Sequence, residues 1–183
     1  MRVLPRASQI TTIAAWSLGA LISVFSPAHS GLLRPMSCRM DGCFESEFIG
    51  KTPIKSGKGE VLYEVRQRFR SWSTKNYNAP RPSLASVPFG PTTISFVLCS
   101  TRRPAFIFKP SDSPNFIAHR LNPGGDYYGY NRSSYEDYWL ICHNFVGPDY
   151  FTPQMTSRAI ALGYPGNLPS DQVNLDHPLD AMR

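Results

Sequence analysis

The chain has 183 residues, with 19 Lys+Arg against 13 Asp+Glu for a net charge of +6, 42% hydrophobic residues and 13% aromatic ones. That length suits one domain, and the apolar content is too high for a wholly disordered chain. No apolar run reaches the roughly 20 residues of a membrane helix. No Gly-rich phosphate loop, H-E-x-x-H, G-x-S-x-G or zinc-finger spacing occurs either, so polytopic membrane proteins and the motif-defined enzyme classes are excluded.

Residues 1–30 read as a signal peptide. Arg2 and Arg6 make a basic start, 10–25 is uncharged and mostly apolar, and Pro27 ends that run. Ala28 and Ser30 then supply the small residues of a cleavage site before Gly31. As a helix, 10–25 would span about 24 Å, short of a hydrocarbon core of about 30 Å, so cleavage is expected rather than an anchor, with no membrane span afterwards. Loss of Arg2 and Arg6, with no acidic residue, would lower the net charge from +6 to +4. So mild a basic balance does not point to a nucleic-acid partner. The expected location is periplasmic or secreted.

Cys38, Cys43, Cys99 and Cys142 are an even set in a chain with the features of an exported protein, where disulfides are the expected state. Loop closure is easiest for Cys38–Cys43, which leaves Cys99–Cys142 as a long-range staple; the crossed pairings stay open. The spacings fit no zinc site and there is no C-x-x-C, so no metal and no cofactor is expected.

Beyond the cysteines, 44–59 reads as a polar lead-in. Strict alternation over 60–72 predicts a strand, with Val61, Tyr63, Val65, Gln67 and Phe69 on one face and Leu62, Glu64, Arg66, Arg68, Arg70 and Trp72 on the other. The Pro-rich 73–91 reads as loop. The β-branched run 92–100, apolar on both faces, predicts a central strand. Short strands at 105–109 and 115–121 follow through tight turns, as in a meander. A Gly/Tyr-rich loop, 122–137, leads to a last strand at 138–145. Residues 155–162 could form a short helix within an otherwise irregular tail, 147–183. The expected architecture is all-β: a signal peptide (1–30), a disulfide-stabilised β domain (31–146) forming a five-strand meander, barrel or sandwich, and the tail. In that arrangement the Cys99–Cys142 bridge needs the 122–137 loop to cross the sheet.

Two features suggest binding. Arg66, Arg68 and Arg70, at alternate positions of a strand, repeat at about 6.5–7 Å, comparable to charges on an anionic polymer, and Trp72 on the same face could stack on a sugar. Tyr127, Tyr128, Tyr130 and Tyr135 offer large amphipathic contacts. A solvated strand face and a capped core would use the same residues. Catalytic candidates are His119 and His143 with Asp126, Asp137, Ser133 and Ser134, though no spacing fixes a triad, and none is assigned a catalytic role. Asn131-Arg132-Ser133 is a formal glycosylation sequon.

The early Cys pair, C-S-T-R-R-P-A-F-I-F at 99–108 and G-Y-N-R-S-S-Y-E-D-Y-W-L-I-C-H at 129–143 resemble small exported bacterial proteins of unknown function over about 38–145. The resemblance implies no catalytic residues. Small periplasmic lysozyme inhibitors share the general description of signal peptide, compact β unit and disulfide. The expected function is non-enzymatic binding of an anionic glycan, an envelope polymer or a protein. A small hydrolase using His119, and an inhibitor presenting the 122–137 loop, are the alternatives.

Overall fold

The structure, a computed structural model, describes residues 32–33, 37–39, 42–73, 87–127, 129–147 and 150–183. The expected signal peptide lies outside the described residues. Strands β1 (Leu32–Leu33) and β2 (Ser37–Arg39) are short; β3 (Gly42–Gly57) and β4 (Glu60–Ser73) are long. They are followed by β5 (Thr92–Cys99), β6 (Ala105–Phe108) and β7 (Phe116–Arg120). Helices α1 (Arg132–His143) and α2 (Pro153–Ala161) come next, then β8 (Gln172–Leu175) and a closing 3-10 turn, Pro178–Met182.

The fold is mostly β. Its main path is an open antiparallel sheet of six strands, β3-β4-β5-β6-β7-β8, to which β1 and β2 add short pairings along β3. The strand count is therefore six rather than five. The sheet neither closes into a barrel nor stacks as a sandwich, because other segments cover both faces. On one face α1 and α2 join Phe48, Val65, Val97, Phe106 and Leu121 through Tyr135, Tyr138, Trp139, Ile141, Met155 and Ala159. On the other, Leu62, Leu98, Ala105, Ile107 and Ala118 are met by Val173, Leu175, Leu179 and Met182. Burial on both faces over 95–98 explains why that part of the run lacks alternation, and β5 is indeed an interior strand, paired with β4 and β6.

Three readings need correction. The polar lead-in 44–59 is most of β3, paired with β4 along nearly its whole length. Its distal part, from Thr52 to Gly57, is exposed, so it carries no apolar alternation to read. The turn between these strands is Lys58-Gly59, both with positive φ (52° and 78°), the two-residue geometry that matches strand twist and favours glycine.

The last expected strand, 138–145, is helix α1. Ser134 through Ile141 are all buried, so the helix has no solvent face and shows no 3.6-residue pattern. Its end is nonetheless marked: Asn144 adopts the left-handed conformation (φ 51°) and its N–H donates to the Leu140 carbonyl at 3.0 Å. Lys51 Nζ donates to the Ile141 carbonyl, placing a cation at the helix C-terminus. Finally, the stretch expected as an irregular tail supplies α2, β8 and side chains to both cores.

Both favoured disulfides are present. Cys38 and Cys43 face each other across β2 and β3. Cys99, at the end of β5, bonds to Cys142 in the last turn of α1, with the Cα atoms 5.5 Å apart. Because α1 lies on the sheet, no loop has to cross it to make this bridge.

Candidate functional site

The basic ladder is occupied from within. On β3, Glu47 and Glu45 stand opposite Arg68 and Arg70 and form ion pairs with them. Phe89 covers both guanidinium groups, its ring centre 4.9 Å and 4.7 Å from them. The Glu47 carboxylate also raises the Arg68 pKa through its hydrogen bond. Arg66 is opposite Gly50 instead, is exposed, and has no ion-pair partner among the described residues. Trp72 is buried opposite Cys43, so it is no exposed stacking platform.

The tyrosines diverge around α1. Tyr135 is buried; its hydroxyl accepts from the Asn122 N–H at 2.8 Å. Tyr127 is 42% exposed on one side of the helix, and Tyr130, 50% exposed, on the other, edge-on to His119. Tyr128 lies outside the described residues.

Tyr127 borders a groove of about 480 Å³ lined by Tyr135, Trp139, Tyr150, Phe151, Asn122 and Asp126, with Thr152, Thr156 and Ser157 from the start of α2. Tyr127 and Phe151 lie with ring centres 4.2 Å apart, and Arg132 sits over Phe151 at 4.3 Å. The 122–125 segment (Asn-Pro-Gly-Gly) holds the rim in place. A Cβ on Gly125 would come within 2.1 Å of the Gly166 carbonyl, so only glycine permits this approach. The Asn122 amide also donates to that carbonyl, at 3.1 Å. Sequence reasoning reached Tyr127 and Asp126 but not Trp139, read as strand, nor Tyr150 and Phe151, read as tail. The Asn144 stop signal was the residue that could have shifted Trp139 onto a helix.

A second groove, about 360 Å³, opens where the sheet continues past the N-terminus of α1. It is lined by four of the catalytic candidates: His119, Ser133, Ser134 and Asp137. Gln172 and His119 are register partners on β8 and β7. The Gln172 amide donates to His119 Nε2 at 2.6 Å, which leaves the Nδ1–H to donate to Ser134 Oγ at 2.8 Å. Asp137 instead accepts from the Gln67 amide at 3.2 Å. Burial lowers the His119 pKa, keeping the imidazole neutral. Asp126 is in the other groove. His143 belongs to a buried chain in which it contacts the Tyr164 hydroxyl at 2.7 Å, which in turn contacts that of Tyr138 at 2.8 Å. Burial, then Arg158 and Lys51, lowers the His143 pKa, and burial raises those of Tyr138 and Tyr164.

No group of three or more His, Cys, Asp or Glu side chains placed to hold a metal ion occurs among the described residues. Comparison with family models, curated proteins and solved structures finds no match to this chain. The two disulfides are consistent with an extracellular or periplasmic protein. Among the described residues, no helix is long and apolar enough to cross a membrane.

Proposed function

We propose that the protein is an exported binding module and that the groove beside Tyr127 takes a glycan of the cell envelope. The observation that carries this reading is the groove's composition. Aromatic rings from α1, the 122–127 segment and 150–151 form apolar walls, and Asn122, Asp126, Thr152, Thr156 and Ser157 bring amide, carboxyl and hydroxyl groups to the same space. Sugars present apolar ring faces edged by hydroxyls, and such a surface matches both. The arginine ladder is a weaker candidate because its own glutamates already meet two of its three charges.

The test is co-sedimentation with purified peptidoglycan sacculi. Binding that weakens at least tenfold in Tyr127→Ala and Phe151→Ala, but changes little between low and high salt, supports the aromatic groove. Salt-sensitive binding lost in Arg66→Glu and indifferent to Tyr127 would return the ladder to first place.

The hydrolase reading gains one observation, a concave site around His119 with a serine in contact. The proton runs from His119 to Ser134, opposite to the direction a general base needs. Hydrolysis of p-nitrophenyl acetate by the native protein, abolished in His119→Ala, would favour that reading over binding alone.

A further inference from the structure

We propose that the groove at His119 is a second, separate ligand site, which takes a small neutral amphipathic molecule: an apolar ring system carrying one hydroxyl head group. Its volume, about 360 Å³, falls in the range of pockets that hold small molecules. The walls are Phe44, Phe69, Ile94, Phe106 and Phe108, and of these Phe69 and Ile94 are exposed at the mouth. An apolar body fits there.

The floor is polar where packing alone would make it apolar. Two residues along β4 from buried Val65 stands Gln67, and two residues along β5 from buried Val97 stands Ser95, each pair sharing one face of its strand. His119, Ser134 and Asp137 complete a set of five buried polar side chains drawn from three strands and a helix. Burying such groups opposes folding unless they are matched, and a core has no need of them. Gln67 bonds to Asp137 and His119 to Ser134. Ser95, only 7% exposed, has a hydroxyl with no hydrogen-bond partner among the described residues. That oxygen is covered by the groove's wall, and a ligand hydroxyl admitted beside it by a small side-chain shift would supply the missing bond.

Charge narrows the class. The His119 ring is neutral through burial, and Lys109, at the rim, is turned over the Phe116 ring at 5.4 Å. An anionic head group would find the Asp137 carboxyl and, among the described residues, no cation at the floor. That carboxyl is itself buried and already accepts from the Gln67 amide, so it does not call for a cationic head, and the head that fits is uncharged.

The probe is 2-naphthol, titrated by fluorescence into the full, disulfide-intact protein, with 2-naphthoate as the charged counterpart. Saturable binding of the naphthol with half-saturation below about 1 mM is expected, and at least tenfold weaker binding of the naphthoate. Ser95→Ala should weaken the naphthol about fivefold, the loss of one ordinary hydrogen bond. Ile94→Asp, at an exposed position that leaves the core untouched, should weaken it at least tenfold. Naphthol binding that both variants leave unchanged overturns the proposal, as does absence of saturation or equal binding of the naphthoate. Loss of binding in Tyr127→Ala with Ile94→Asp unaffected would also overturn it, by assigning the molecule to the glycan groove.

Discussion

Burial moves His119 and His143 in the same direction, towards the neutral imidazole. Each has a folded-state pKa below its unfolded value of about 6.5, so the unfolded chain binds the proton first as pH falls. Stability is therefore full above about pH 6.5 and declines as pH drops from there towards the lowered folded-state values. Thermal unfolding followed between pH 7.5 and 5 should show a falling melting temperature, and His119→Gln together with His143→Gln should flatten that slope. A slope unchanged by both substitutions would mean that neither ring is buried as described. Glu60 is a separate case: Arg103, chiefly through its hydrogen bonds, holds this buried carboxylate below its usual range, so its contribution is lost only at more acidic pH. Arg103 also donates to the carbonyls of Met182 and Arg183, tying the closing turn to β4. Arg103→Met leaves Glu60 buried without its cation and should cost about 2–3 kcal/mol in denaturant unfolding. Glu60→Gln in that background should recover part of the loss.

The β3–β4 hairpin shows how an element can cancel a feature that looks functional on one strand. The arginines of β4 repeat on one side, but the antiparallel register brings Glu45 and Glu47 of β3 opposite two of them. Charge reversal at Arg68 or Arg70 would therefore disturb the hairpin itself, and Arg66→Glu is the cleaner probe of any role for this face. Helix α1 is fixed at its C-terminal end by Lys51 and by the Cys99–Cys142 bridge. The chain-entropy argument gives a bridge of that sequence separation, 43 residues, about 4 kcal/mol. A Cys99→Ser/Cys142→Ser protein should unfold at markedly lower denaturant than one lacking Cys38–Cys43, whose loop spans only 5 residues. Equal losses would show that native-state contacts, not loop closure, set the contribution.

Across the whole molecule, α1 separates the groove at Tyr127 from the one at His119. Trp139 and Tyr135 face the groove at Tyr127, while Ser134 and Asp137 face the one at His119. Ligands of the two grooves should bind without competition, apart from whatever strain α1 transmits, and a titration with sacculi and 2-naphthol together would read this directly. Export is a further whole-molecule expectation. Protein recovered from the periplasm of a bacterial host should resist alkylation until it is reduced and should have a mass that begins at Gly31. Free thiols on the native protein would remove the oxidising-compartment argument.

The sequence alone determined what depends on neighbours along the chain. Alternation along 60–72 marked β4, turn residues around Pro104 and Pro110 separated β5, β6 and β7, and loop closure selected Cys38–Cys43. Those signals are local: side-chain period, backbone restriction and short-loop entropy. Tertiary structure decided the rest. Tyr138-Trp139-Leu140-Ile141 has the composition of a strand, and only burial on every side, between sheet and C-terminal segment, made it helix. His119, Ser134 and Gln172 are far apart in sequence, and it took the pairing of β7 with β8 and the docking of α1 to bring them into contact. Long-range pairing is chosen by the total free energy of two covered sheet faces, and no short window of residues carries that sum.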